Sequence, residues 1–97
     1  MSDTVRLAIR LTGRMEAALD GLASEYGDCS AGLLAALDRV DFRSAALLSI
    51  EPDARRAVAL SIPRSRHRLL RRYAAARGTT VNVLVNTALD SWISKKP

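Results

Sequence analysis

The chain has 97 residues, 48% of them hydrophobic, and a net charge of +5; that length allows one domain, or two very small units sharing a core. The only cysteine, Cys29, excludes an internal disulfide and has no companions for a metal site, so the cytoplasm is the expected compartment. No stretch approaches the roughly 18 apolar residues of a membrane span, and Arg6 and Arg10 break up the apolar residues of the first segment, which excludes a signal-peptide core.

Residues 5–12, VRLAIRLT, alternate with period two: Leu7, Ile9 and Leu11 share one face and Arg6, Ala8 and Arg10 the other, as in a half-buried strand. A helical stripe follows (Met15, Leu19, Leu22, Ala23, Tyr26) and ends at Gly27, a residue suited to a left-handed C-terminal turn. A second helix then starts, with Cys29 or Ser30 as its expected N-cap. Its apolar pattern decays after Leu37, where Asp38 and Asp41 intervene. Residues 42–56 read as a linker; Ala45, Ala46, Leu47 and Leu48 fit either a helix extension or a short turn, and Pro52 marks a break.

A second strand, AVALSIP, sets Val58, Leu60 and Ile62 against Ala57, Ala59 and Ser61, and Pro63 closes it at a natural helix start. The next helix carries Leu70, Tyr73, Ala74 and the stem of Arg77 on one stripe and ends at Gly78. The last segment, GTTVNVLVNTALDSWI, is ambiguous. Its valines alternate as in a strand, yet Val81, Leu84, Val85, Ala88, Leu89, Trp92 and Ile93 form one helical stripe. A Gly-Thr-Thr start with Thr80 as N-cap, and no turn signal before Ile93, predict helix. With only four aromatic residues the core is drawn mainly from Leu, Val, Ile and Ala, which also favours helices.

Sliding the chain against itself by 51 positions aligns Leu7, Ile9 and Leu11 with Val58, Leu60 and Ile62, Gly27 with Gly78, and Leu33 with Leu84. The order strand, helix, glycine, helix occurs twice. A unit of about 45 residues is too small to close a core alone. Residues 1–97 are therefore expected to form a single domain, with a first repeat at 5–41 and a second at 57–94.

The stretch LSIPRSRHRLLRRYAAARGTTVNVLVNTALDSWI resembles the ribbon-helix-helix DNA-binding family of Arc- and MetJ-like repressors. The likeness rests on a proline after the strand, apolar residues 7, 10 and 11 positions beyond it, glycine at 15, and a GTTVN segment similar to the G-x-S/T-x-N opening of the second helix. It implies a mostly α fold with a two-stranded antiparallel β-ribbon. Here that would be a tandem β-α-α-β-α-α chain forming an intramolecular pseudodimer, similar to TraY-type and overdrive-binding accessory proteins of conjugation. The first repeat departs from the pattern: Thr12 stands in the proline position, Asp28 follows the glycine, and the second helix ends weakly. A weaker grip on phosphate is expected there.

Residues 1–50 hold 5 Arg against 7 acids, whereas residues 51–97 hold 10 Lys and Arg against 3 acids. Such an excess in one half points to a polyanionic partner. By the alternation, Arg6, Ala8, Arg10, Ala57, Ala59 and Ser61 occupy the solvent face of the paired strands, which the resemblance puts in the major groove. Arginine reads guanine O6 and N7, alanine meets a thymine methyl and serine reaches several bases. The plain alternative is a solvated strand face. Since only the first strand carries arginine, an asymmetric site with guanine on one half is expected.

The resemblance puts phosphate contacts at Thr79, Thr80, Val81 and Asn82, with weaker ones at Cys29 and Ser30, through free N–H groups at helix starts. Arg64, Arg68, Arg71 and Arg72 belong to an arginine-rich helix that touches flanking phosphates, pairs with acidic residues of a neighbour (Glu16, Asp20, Glu25), or only solvates the surface. His67 has no companions for a metal or catalytic role. With no carboxylate pair, Cys/His cluster or glycine-rich phosphate loop, the chain reads as a non-enzyme with no catalytic residues, metal or cofactor.

The expected function is sequence-specific binding of double-stranded DNA. The protein would act as an accessory factor of plasmid or mobile-element transfer, beside a relaxase or other DNA-processing protein, or as a small transcriptional repressor. It is expected to be a monomer containing its own pseudodimer, with no membrane partner and with self-association on DNA left open. The rival readings are a helical protein-interaction module and a sequence-blind architectural DNA-binding protein.

Overall fold

Period-two alternation and helical stripes resolve into six elements in the computed structural model, which describes residues 3–11, 13–47 and 56–95. They are β1 (Thr4–Leu11), α1 (Gly13–Tyr26), α2 (Cys29–Asp38), β2 (Arg56–Pro63), α3 (Arg64–Arg77) and α4 (Val81–Lys95). The fold is mostly helical around one two-stranded antiparallel sheet. The bounds of α3 are those of α1 displaced by 51 residues. Thr12, Leu48 and Pro52, to which the sequence assigned roles, lie outside the described residues.

The strands pair from Thr4↔Pro63 to Leu11↔Arg56, with Arg6 opposite Ser61, Ala8 opposite Ala59 and Arg10 opposite Ala57. Leu7, Ile9, Leu11, Leu60 and Ile62 point into the core. Alternation thus splits the ribbon into one apolar face and one solvent face. Met15, Leu19 and Leu22 of α1, Leu33, Ala36 and Leu37 of α2, and Leu70 and Ala74 of α3 close over the apolar face.

The ambiguous last segment is a helix, and it is the central one. Residues 84–89 are all buried, on every side of α4, and α4 packs against α1, α2, α3 and β1. A helix buried on every side is a core helix; of the valines that mimic a strand, Val85 is fully buried and Val81 and Val83 are half-buried. Thr80 caps it as expected, its Oγ1 accepting from Val83 N at 3.2 Å. Thr79 N donates back to Ala74 O at 2.8 Å across Gly78, whose φ of 63° needs a glycine.

The start of α2 differs from expectation. Its N-cap is Asp28 rather than Cys29 or Ser30: the Asp28 backbone is extended and its Oδ1 accepts from Ala31 N at 2.7 Å. Gly27 (φ 104°) turns the chain so that the residue directly after it is the first able to cap, and aspartate is among the strongest capping residues. The end of α2 also settles an open choice. The helix stops at Asp38 and residues 42–44 form a turn, pinned by Asp41, whose Oδ1 accepts from Arg43 N at 3.0 Å. Ala45 to Leu47 do not extend the helix.

Two further contacts tie the chain after α2 to the rest. Arg77 donates from Nη1 to Phe42 O (2.8 Å) and from Nη2 to Ala45 O (3.0 Å). Phe42 is buried beside Tyr73, with ring centroids 5.9 Å apart. Gly32 meets α1 with no room to spare, since a Cβ there would lie 2.7 Å from Leu22 Cβ and 2.9 Å from Leu22 C.

Candidate nucleic-acid interface

The outer ribbon face collects all six residues picked from the alternation: Arg6, Ala8, Arg10, Ala57, Ala59 and Ser61 are exposed and cross-paired with one another. Between the arginines lie only alanine and serine, so the face is a smooth ribbon bearing two long cations. The register alters one expectation. β1 runs the full length of the ribbon, so Arg6 and Arg10 stand at opposite ends of the face rather than on one half. Antiparallel pairing spreads one strand's side chains across both ends of the site.

At the Arg10 end, β1 is held from the side by α4. Arg10 N donates to Asn82 Oδ1 at 2.7 Å, and Arg10 O accepts from Asn86 Nδ2 at 3.1 Å. Both backbone groups of Arg10 therefore point away from β2. By the alternation of antiparallel ladders, Arg10/Ala57, Ala8/Ala59 and Arg6/Ser61 are the close, non-hydrogen-bonded pairs. Pro63, which lacks an N–H, falls at a position of the same class, where none is needed.

The start of α4 sits beside that end. Val81 and Asn82 open the helix, where N–H groups have no intrahelical acceptor and the dipole favours an anion. Thr80 uses its hydroxyl as the cap, while Thr79 has committed its N–H to Ala74 O, leaving its own hydroxyl for any outside contact. In the matching position of α2, Cys29 and Ser30 are half-buried and offer the same kind of N–H groups, but the Asp28 carboxylate occupies the helix start. A fixed negative charge there opposes an incoming anion.

The arginines of α3 divide by role. Arg64, directly after the ribbon, donates its backbone N–H to Asp3 O at 3.0 Å and lies 3.4 Å from Asp3 Oδ1. Arg66 pairs with Asp38, and Arg77 holds the chain after α2. Arg68, Arg71 and Arg72 are exposed and form no ion pair with another described residue. At 1.5 Å per residue they stand roughly 6–12 Å further along α3 than Arg64, so only Arg64 is brought to the ribbon itself.

The sequence reading missed Arg14, which follows β1 and bridges to Asp90 of α4 at 2.7 Å, and missed Asn86. Asn82 and Asn86, spaced i and i+4 within an apolar helix, were the available signal: two amides on one face of a core helix need a polar partner. A cavity of about 140 Å³ lies between the end of α2 and α3, lined by Leu37, Phe42, Leu69 and Tyr73, with the Arg66–Asp38 pair beside them. Among the described residues no group of His, Cys, Asp and Glu could hold a metal ion, and no helix is long and apolar enough to cross a membrane.

Compared with protein-family models, with curated proteins and with solved structures, the chain matches none.

Proposed function

We propose that the chain binds double-stranded DNA sequence-specifically by laying its β-ribbon in the major groove, as a tandem ribbon-helix-helix pseudodimer. One observation carries this reading: exposure and positive charge coincide on the outer face of the ribbon. Arg6 and Arg10 project from a strip otherwise lined by alanine and serine. A two-stranded ribbon fits the roughly 12 Å major groove, where arginine pairs bidentately with guanine.

The arginines are four residues apart on β1, roughly 13 Å at 3.3 Å per residue. That span matches about four steps of 3.4 Å along a DNA strand. The site is accordingly two guanines about four base pairs apart, with tolerant or thymine-rich positions between them where Ala8 and Ala59 lie. The start of α4 grips phosphate more firmly than the start of α2. Arg64 steadies one end of the ribbon, and Arg68, Arg71 and Arg72 add sequence-independent attraction.

Within this reading the cellular role is that of an accessory factor in DNA transfer, working beside a relaxase, or a small repressor; the genomic position of the selected site tells these apart. Selection of bound duplexes from a random pool at near-physiological salt tests the function itself. Enrichment of an asymmetric motif with two spaced guanines supports it. Binding with no enriched motif makes the protein a sequence-blind architectural factor, and no binding at all turns attention to a protein partner.

A further inference from the structure

The two ends of the ribbon are built differently. At one end Asn82 Oδ1 accepts from Arg10 N (2.7 Å), while Asn86 Nδ2 donates to both Arg10 O (3.1 Å) and Asn82 O (2.8 Å). The base-reading residue is thereby tied through its own backbone to the first turns of α4. Displacement by 51 residues gives the matching positions at the other end: Ser61 for Arg10, and Ala31 and Ala35 for Asn82 and Asn86. Two methyl groups can neither donate nor accept, so α2 cannot hold β2 in this way.

The amide of Asn86 carries a cost that stability alone does not explain. The residue is 1% exposed, and its Oδ1 has no hydrogen-bond partner. A buried, unpaired acceptor is destabilising, and an aliphatic side chain, as at Ala35, would avoid it. What the amide adds is orientation: it donates to the strand's carbonyl at Arg10 and to the helix's own carbonyl at Asn82, which ties one to the other.

We propose that Asn82 and Asn86 are positioning residues that aim Arg10, so that the base pair under Arg10 is read more sharply than the base pair under Arg6. The inference rests on the DNA-binding reading above. A guanidinium held on a fixed backbone meets guanine in one geometry, whereas Arg6, opposite Ser61, sits on the end that α2 leaves without an amide clamp.

The test compares discrimination at the two guanine positions within one variant. The wild type and Asn82→Ala are titrated with the selected duplex and with duplexes altered at either guanine. Alanine keeps the backbone N–H offered to phosphate, so any general loss of grip scales all duplexes equally and cancels in the ratio. The expected result is a fall of about tenfold in discrimination at the Arg10 position, with little change at the Arg6 position. Asn82→Asp, which restores an acceptor for Arg10 N, should recover most of that ratio. Amide exchange at Arg10, faster in Asn82→Ala than in the wild type, reports the clamp without DNA. Equal loss at both positions, or an unchanged ratio, overturns the proposal while leaving DNA binding intact. Failure of the wild type to select any motif overturns the DNA-binding reading instead, and with it a base-aiming role for the clamp, even if the exchange result shows that the clamp exists.

Discussion

Ala8 lies directly opposite Ala59, and of all the pairs in the ribbon it is the one whose members are 51 residues apart. That separation equals the displacement between α1 and α3. In the proposed pseudodimer, two like units joined by an antiparallel ribbon would cross at a residue facing its own counterpart, and the pair of alanines is compatible with that condition. The small side chains at this point leave the middle of the outer face low, with the arginines rising on either side.

If the outer face reads bases, Arg6→Ala and Arg10→Ala should each weaken binding of the selected duplex by about 1–3 kcal/mol and relax preference at one guanine only. Both residues are exposed, so thermal stability should stay within about 0.5 kcal/mol of the wild type. Fluorescence anisotropy at fixed salt and a melting curve check the two halves of the expectation. Replacing Arg68, Arg71 and Arg72 together by Gln should instead lower affinity for every duplex alike and flatten the salt dependence.

Asp28→Asn separates capping from charge. Asparagine caps as well as aspartate, so the loss of helix stability should not exceed about 1 kcal/mol, the part owed to the dipole. Removing the carboxylate should tighten DNA binding, and more so at low salt. Affinity no higher than that of the wild type at every salt concentration would show that no phosphate approaches the start of α2.

Gly32→Ala is expected to destabilise by about 1–3 kcal/mol, because the new Cβ would meet Leu22 backbone as well as its side chain. At about 4–8 °C per kcal/mol for a domain of this size, the fall in Tm is readily measured. Gly21→Ala is the matched control: the space around that glycine is open, and in mid-helix the change should stabilise by about 0.5–1 kcal/mol. Trp92, the only tryptophan, stacks edge-on to Tyr26 and lies 4.4 Å from the Arg39 guanidinium, which makes its fluorescence a convenient reporter of unfolding.

Arg77→Ala removes two donors to the carbonyls of Phe42 and Ala45 and should cost about 1 kcal/mol or more. Limited proteolysis should cut residues 41–47 faster. Arg77→Lys should rescue little, since one ammonium does not reproduce the planar fork that spans both acceptors.

Strand alternation and the glycines made much of this architecture legible. Leu7, Ile9 and Leu11 against Arg6, Ala8 and Arg10 state which face is wet, and Gly27 and Gly78 mark where α1 and α3 end. Those signals are local, set by side-chain period and backbone φ. The cap of α2 was harder, because Asp28, Cys29 and Ser30 are consecutive and the choice depends on the direction in which Gly27 releases the chain. The Asn86–Arg10 and Arg14–Asp90 contacts each bridge 76 residues, so they exist only once α4 has packed beside β1 and α1. The spread of Arg6 and Arg10 to both ends was equally hidden until the register was known.

Because β1 and β2 belong to one chain, the ribbon closes as a unimolecular event. A ribbon assembled from two separate chains comes apart on dilution, and its melting temperature follows protein concentration. This one should melt at the same temperature at nanomolar and micromolar concentrations. Covalent linkage also frees the halves from having to be identical: asparagines clamp one end and alanines face the other, an asymmetry that a pair of identical chains related by a twofold axis does not allow.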